Sequence, residues 1–139
     1  NCLLSTLTLL NEVLPELHSY KIIYNLVSDF FHELKFNNDW IIYYIFWEIN
    51  LIREIGFDMN LKSNYIQEAN SKNNLVKVNI DNQRLEIPKF LIEKKIVKVK
   101  KESIYLALKF TGKFIEKNIL IPNNLNYPRT RKNLENFYK

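Results

Sequence analysis

Glu48 invites a chemical interpretation because it is the single charged residue in the apolar run between Asp39 and Arg53. A carboxylate in such surroundings serves as a general acid when a second acid or a nucleophile stands within reach. The sequence offers no such partner nearby. The residues at helical contact spacing from it are apolar or aromatic: Tyr44, Ile45, Leu51 and Ile52. A buried carboxylate is usually hydrogen-bonded or paired, so we interpret Glu48 as a structural residue.

Other residue types that carry chemistry are scarce. Gly56 and Gly112 are the only two glycines, too few for a loop that cradles phosphate. The single cysteine, Cys2, allows neither an internal disulfide nor a thiolate zinc site. His18 and His32 stand fourteen residues apart with no second pair of ligands nearby. We therefore expect no metal site, no cofactor and no enzymatic activity.

Charge is distributed unevenly along the chain. Residues 1–93 carry eight Lys/Arg against twelve Asp/Glu, a net of −4, whereas residues 94–139 carry twelve against three, a net of +9. An AT-rich genome would explain part of the lysine content, but it would raise lysine everywhere, and the first part stays acidic. The asymmetry predicts an acidic or polyanionic partner for the later part.

The basic residues of that later part are the candidate binding residues. Lys109, Lys113 and Lys117 follow one another at intervals of four and share one helical face, where like charges repel each other. A polyanion would relieve this repulsion, and a simple solvated face is the alternative. The candidate contacts to nucleic acid or to an acidic peptide are Lys98, Lys100, Lys101, Lys109, Lys113, Lys117, Arg129, Arg131 and Lys132.

Three helices are predicted before residue 57. Leucine spacing indicates a first helix over residues 3–14, whose inward face would be Leu3, Leu7, Leu10 and Leu14. After Pro15 a second helix would start at Ser19 as N-cap, with an inward face of Tyr20, Ile23, Val27, Phe30 and Leu34. A third runs from about Trp40 to Ile55 and would end at Gly56 in a left-handed conformation. It is too short and too charged to span a membrane.

The later elements are a hairpin and two more helices. Alternation in residues 75–87 predicts a β-hairpin, within an insertion at about 62–88. A helix with Ser103 as N-cap would contain the structural residue Gly112, and a final helix would follow Pro128. The inward face of the helix that starts at Ser103 would be Ile104, Leu108, Phe114 or Ile115, and Ile119. The predicted fold is one mainly α, bundle-like domain over residues 1–139 with a small inserted β-hairpin.

Cellular context is suggested by the start of the chain and by its cysteine usage. The chain begins at Asn1 and its one methionine is Met59, so we expect it to be the later part of a longer protein. A single cysteine fits a reduced cytoplasmic compartment, and no signal peptide opens the sequence. We also expect a monomer.

Four segments resemble the bacterial DNA-repair protein family RecO. "YIFWEINLIREIGFDMNL" is similar to the family's helix that reads aromatic-Glu-Leu-x-Leu-Leu-x-x-Leu-Gly-[Phe/Tyr], with Trp47 to Phe57 in register. "LNEVLPELHSYKIIYNLVSDFFHEL" resembles the two preceding helices. "LALKFTGKFIEKNIL" matches the late helix with its Thr-Gly-x-Phe core, and "YPRTRKNL" matches the closing segment.

The resemblance implies a function in recombination. RecO proteins are mediators of the RecFOR pathway that bind single-stranded DNA and the tail of the single-strand-binding protein SSB, associate with RecR, help load RecA and anneal strands. They begin with a DNA-binding OB-fold, for which this chain has no sequence, and many carry a four-cysteine zinc site. Asn64 stands where the first of those cysteines is expected. A generic helical nucleic-acid-binding or protein-interaction module is the alternative.

Overall fold

The computed structural model describes residues 2–13, 20–36, 39–66, 74–95 and 98–139. Within them the chain is mainly helical with one small antiparallel sheet, which confirms the predicted fold class. The helices are α1 (Cys2–Val13), α2 (Tyr20–Phe36), α3 (Trp40–Glu54), α4 (Phe90–Glu93), α5 (Lys101–Ile115) and α6 (Arg129–Phe137). The strands are β1 (Tyr65–Ile66), β2 (Leu75–Ile80) and β3 (Gln83–Pro88).

Helix α3 forms the centre of the core. It packs against α2 on one side and α5 on another, and Ile42, Ile45 and Ile52 are almost wholly buried. Burying a large aliphatic side chain contributes about 1.5–3 kcal/mol, so an apolar run of this density stabilises the domain from within. No helix in the described part of the chain is long and apolar enough to cross a bilayer.

The C-terminal end of α3 is a Schellman turn. Gly56 has φ +106. Its backbone N–H donates to the Arg53 carbonyl at 2.9 Å, and the Phe57 N–H donates to the Ile52 carbonyl at 3.1 Å. This pair of bonds satisfies carbonyls that a helix end leaves open. Glycine suits the position because a positive φ brings no steric cost from a Cβ atom.

Helix α1 turns a different face inward from the one predicted. Leu3 and Leu7 are 46% and 54% exposed, whereas Ser5 and Thr6 are fully buried. The small hydroxyl side chains find partners there, as in the 2.7 Å bond between Ser5 Oγ and Tyr44 Oη. The leucine repeat was therefore the wrong guide to the inward face, although Leu10 is buried. Leu14, Pro15 and Ser19 lie outside the described residues.

The predicted inward face of α2 is partly realised. Ile23 and Phe30 are buried, and Val27 and Leu34 are half-buried against the core. The Phe30 ring stacks on that of Trp47, with centroids 5.6 Å apart, so α2 and α3 are joined by aromatic packing.

The predicted hairpin is present as β2 and β3, and β1 adds a third strand at the edge of the sheet. Val76 pairs with Ile87 and Val78 with Leu85 across the hairpin. Asp81 and Asn82 form the two-residue turn, with φ of 50 and 61, as right-twisted strands require. The two residues of β1 lie in polar sequence without strand alternation, which explains why the pattern missed them.

Helix α5 begins two residues before the predicted N-cap. Lys100 is the cap residue with extended backbone, and Ser103 is already inside the helix. Beyond Ile115 the chain continues as a π-helical turn, Glu116–Leu120, which buries Ile119 and Leu120. Helix α6 starts directly after Pro128, which has φ −61; proline suits a helix start because it lacks an N–H that would otherwise be unpaired there.

Candidate functional site

Glu48 and Arg131 form an ion pair in the interior of the domain. Both side chains are fully buried. Arg131 Nε donates to Glu48 Oε1, and Nη2 donates to Oε2 at 3.1 Å. The pair is therefore bidentate, the geometry in which guanidinium and carboxylate interact most strongly. Burial acts to lower the pKa of Arg131, but the negative charge of Glu48 outweighs it and holds that pKa above its ordinary value.

Helix α5 completes the polar environment of this pair. Thr111 Oγ1 donates to Glu48 Oε2 at 2.6 Å, and the carbonyl of Leu108 accepts from Arg131 Nη2 at 2.7 Å. Burying charge is costly unless the remaining lone pairs and protons are also bonded. These contacts tie α3, α5 and α6 together through one network.

Gly112 leaves the space through which α6 approaches α5. A Cβ atom built at Gly112 would overlap the hydroxyl of Tyr127 and would lie 3.4 Å from Arg131 Nη2. Among the described residues, neither the Tyr127 hydroxyl nor Arg131 Nη1 has a hydrogen-bond partner, although Nη1 lies 3.5 Å from Glu135 Oε2. Burial raises the pKa of Tyr127 above its ordinary range. This close approach of Tyr127 agrees with the interpretation of Gly112 as a structural residue.

Arg131 has to be removed from the predicted binding residues. Its side chain has no exposed area, since it is paired with Glu48 in the interior, and a side chain inside the core cannot contact DNA or peptide. The sequence contained a signal for this role. Arg131 and Leu134 are three residues apart on one helical face, and both are buried.

The other predicted binding residues are exposed, and two of them lie over aromatic rings. Lys101 Nζ lies 5.7 Å from the Phe137 ring, and Lys109 Nζ lies 5.7 Å from the Tyr105 ring. Such cation–π contacts are weak at exposed sites, so both ammonium groups stay available. The exposed predicted residues are Lys98, Lys100, Lys101, Lys109, Lys113, Lys117, Arg129 and Lys132.

An apolar cleft adjoins the lysine stripe, by which we mean Lys109, Lys113 and Lys117. This hairpin cleft, of about 340 Å³, lies between the β2–β3 hairpin and the end of α5 with its π-helical turn. Its apolar walls are Leu85, Phe110, Phe114 and Ile121, and its basic rim is Lys113 and Lys117. Asp81 and Glu116 are on the same rim, and Lys117 Nζ is 3.5 Å from Asp81 Oδ2.

The segment around Asn64, between α3 and β1, is held by hydrogen bonds. Asn64 Nδ2 donates to the Met59 carbonyl at 3.0 Å, and the Asn64 carbonyl accepts from the backbone N–H of Asn79 at 3.0 Å. Among the residues that the structure describes, no group of three His, Cys, Asp or Glu side chains is placed to hold a metal ion.

Comparison with known proteins identifies the family. A family model described as "Recombination protein O C terminal" matches residues 2–125. Searches of curated proteins and of solved structures found no match. The match includes Glu48 and Thr111, and it ends before α6 and therefore before Arg131. The chain belongs to the family of C-terminal regions of recombination protein O, whose role is in DNA recombination and repair.

Proposed function

We propose that this protein is a recombination mediator of the RecFOR pathway. In this function it binds single-stranded DNA and the SSB tail, associates with RecR, supports RecA loading and promotes strand annealing. Family membership and the eight exposed basic residues named above support the proposal. The chemistry is non-covalent, so binding surfaces rather than catalytic groups carry the function.

The lysine stripe is the proposed contact to the DNA backbone. Lys109 and Lys113 are exposed one helical turn apart on α5, and like charges at that spacing repel. Phosphates relieve this repulsion and release counterions into solution. Binding to single strands should therefore weaken steeply as the salt concentration rises.

The hairpin cleft is the proposed site for the acidic and apolar SSB tail. The observation that carries this assignment is the position of Lys113 and Lys117 beside the Phe110 and Phe114 side chains. An apolar tail residue would enter the cleft while tail carboxylates bind the two ammonium groups. Ile121, which is 64% exposed, would be covered by the tail.

The ion pair of Lys117 with Asp81 does not prevent a tail carboxylate from binding Lys117. The Lys117–Asp81 pair is largely exposed, with side chains 60% and 56% accessible. Exposed pairs of this kind contribute little, typically less than about 1 kcal/mol. A tail carboxylate can therefore replace Asp81 at Lys117 with little loss.

The test compares two ligands on one set of variants: a fluorescent SSB-tail peptide and a fluorescent single-stranded oligonucleotide. Ile121→Asp should weaken peptide binding and leave DNA binding near the parent level, because it alters the cleft alone. Lys113→Glu should weaken both, and Lys35→Glu on α2 is the matched charge control. Unchanged peptide affinity in the first two variants would refute the cleft assignment. Equal affinity for a scrambled tail peptide would favour a generic binding module.

A further inference from the structure

A second groove follows α3 on a different part of the surface. Two cavities of about 450 and 150 Å³ adjoin each other there, and Tyr43, Phe46 and Asn50 line both. We call the two together the α3 groove. It shares no lining residue with the hairpin cleft, so inferences about it do not depend on the proposed function.

One end of the α3 groove is basic. Arg53, Lys62 and Lys94 line the larger cavity, and Asp58 is the acidic residue among its lining side chains. All three basic residues are exposed, and Arg53 Nε lies 3.7 Å from Glu54 Oε1. Three cations against one carboxylate give this end a positive charge next to an apolar floor.

The other end of the α3 groove is acidic. Asp29 and Glu33 of α2 line the smaller cavity one helical turn apart, with Phe30 and Trp47 as apolar walls. The Tyr43 hydroxyl bonds to the Glu33 carboxylate.

We propose that the α3 groove binds a protein segment of mixed charge, with carboxylates at one end, an apolar residue in the middle and Lys or Arg at the other end. Tyr43 and Arg53 are ten residues apart on one helix, a rise of about 15 Å. An extended segment covers that distance in about five residues. The opposite charges at the two ends fix the direction of the bound segment, because the reversed orientation would place like charges together.

The probe is a fluorescent synthetic peptide, acetyl-Asp-Asp-Ser-Leu-Ser-Arg-Arg-amide, titrated with the full chain. Two reference peptides replace either the Asp pair or the Arg pair with Ser. The mixed-charge peptide should bind at least about threefold more tightly than each reference, the scale of one or two exposed charge contacts. If the peptide that keeps only its acids binds as tightly, the acidic end of the groove takes no part and the proposal is wrong.

Charge reversal in the protein gives a second, independent arm. Asp29→Lys should weaken the mixed-charge and Arg-only peptides, and Lys62→Glu should weaken the mixed-charge and Asp-only peptides. Glu102→Lys on α5 is the matched control and should change neither. In addition, Asp29→Lys with Glu33→Lys should gain affinity for a peptide with Asp pairs at both ends, a gain that misfolding cannot produce. Failure of both the losses and this gain would overturn the proposal.

Discussion

The carboxylate of Glu48 and the guanidinium of Arg131 form a buried ion pair that ties the last helix to the centre of the domain. The two residues are 83 positions apart in the chain. Their pairing explains both the charge inside the apolar α3 and the one basic residue of α6 that solvent does not reach.

Breaking this pair should destabilise the domain strongly. Glu48→Ala removes the bidentate partner of the buried Arg131 and leaves it only the longer 3.5 Å contact to Glu135, so the free energy of unfolding should fall by about 3–5 kcal/mol. Replacing both residues, as Glu48→Leu with Arg131→Met, should cost less than the sum of the single changes because no charge is stranded. Urea unfolding of the parent, Glu48→Leu, Arg131→Met and the double variant measures the coupling. At a temperature where the variants are folded, DNA affinity should match that of the parent. Selective loss of DNA binding at unchanged stability would contradict a structural role.

Gly112 should be intolerant of a side chain as long as Tyr127 keeps its hydroxyl. Gly112→Ala brings a methyl group against that hydroxyl, and overpacking of this kind costs about 1–3 kcal/mol. Tyr127→Phe alone should be close to neutral, because the hydroxyl has no hydrogen-bond partner to lose among the residues that the structure describes. In the Tyr127→Phe background, Gly112→Ala should therefore be milder. Equal melting-temperature losses in both backgrounds would exclude this contact as the cause.

Substitutions at Gly56 should lower stability through backbone strain and not through steric overlap with neighbouring atoms. A Cβ atom there meets nothing within 4 Å, and φ is +106. Gly56→Val should lower stability by about 1–2 kcal/mol, whereas Gly56→Asn should cost less because asparagine tolerates positive φ. The comparison is made by thermal unfolding. Similar losses for valine and asparagine would contradict the assignment to backbone strain.

The sequence predicted local structure better than long-range pairing. Gly56 identified the end of α3 because a helix end with positive φ depends on a few adjacent residues. The Leu3–Leu7 repeat failed because periodicity shows that a face exists without showing what packs on it. In α1 the hydroxyls of Ser5 and Thr6 satisfied their hydrogen bonds in the core. The sequence predicted that Glu48 would need a polar partner. The spacing of Arg131 and Leu134 indicates a buried face of α6, but it does not show that this face meets Glu48.

The binding surfaces were predictable only in part, for a similar reason. Lysine spacing in one helix indicated the exposed faces of Lys109 and Lys113. The hairpin cleft and the α3 groove combine residues from distant segments, such as Leu85 with Phe114, and Arg53 with Lys94. No pattern along the chain encodes that proximity.

High pH should destabilise the fold. Burial raises the pKa of the Cys2 thiol from 9.0 to about 12, and burial also raises the pKa of Tyr44 and Tyr127. As the pH rises, the unfolded chain releases these protons at a lower pH than the folded chain does. The contribution of these groups to the free energy of unfolding is therefore complete below pH 9 and is lost as the pH rises above it. Urea midpoints between pH 8 and 11 measure the fall. Cys2→Ala should make it shallower between pH 9 and 11, and an identical pH profile would exclude the thiol as a cause.

The central claim, that the lysine stripe contacts the DNA backbone, is tested most directly by the salt dependence of binding to an oligo-dT strand. Each phosphate contact contributes about 0.7 to the slope of log K against log salt for single strands. Lys109→Gln with Lys113→Gln should therefore reduce the slope by about 1.4. Lys21→Gln with Lys35→Gln removes the same charge from exposed positions of α2 and should leave the slope unchanged. Equal slopes for the stripe variant and the parent, or equal reductions in both variants, would contradict the account.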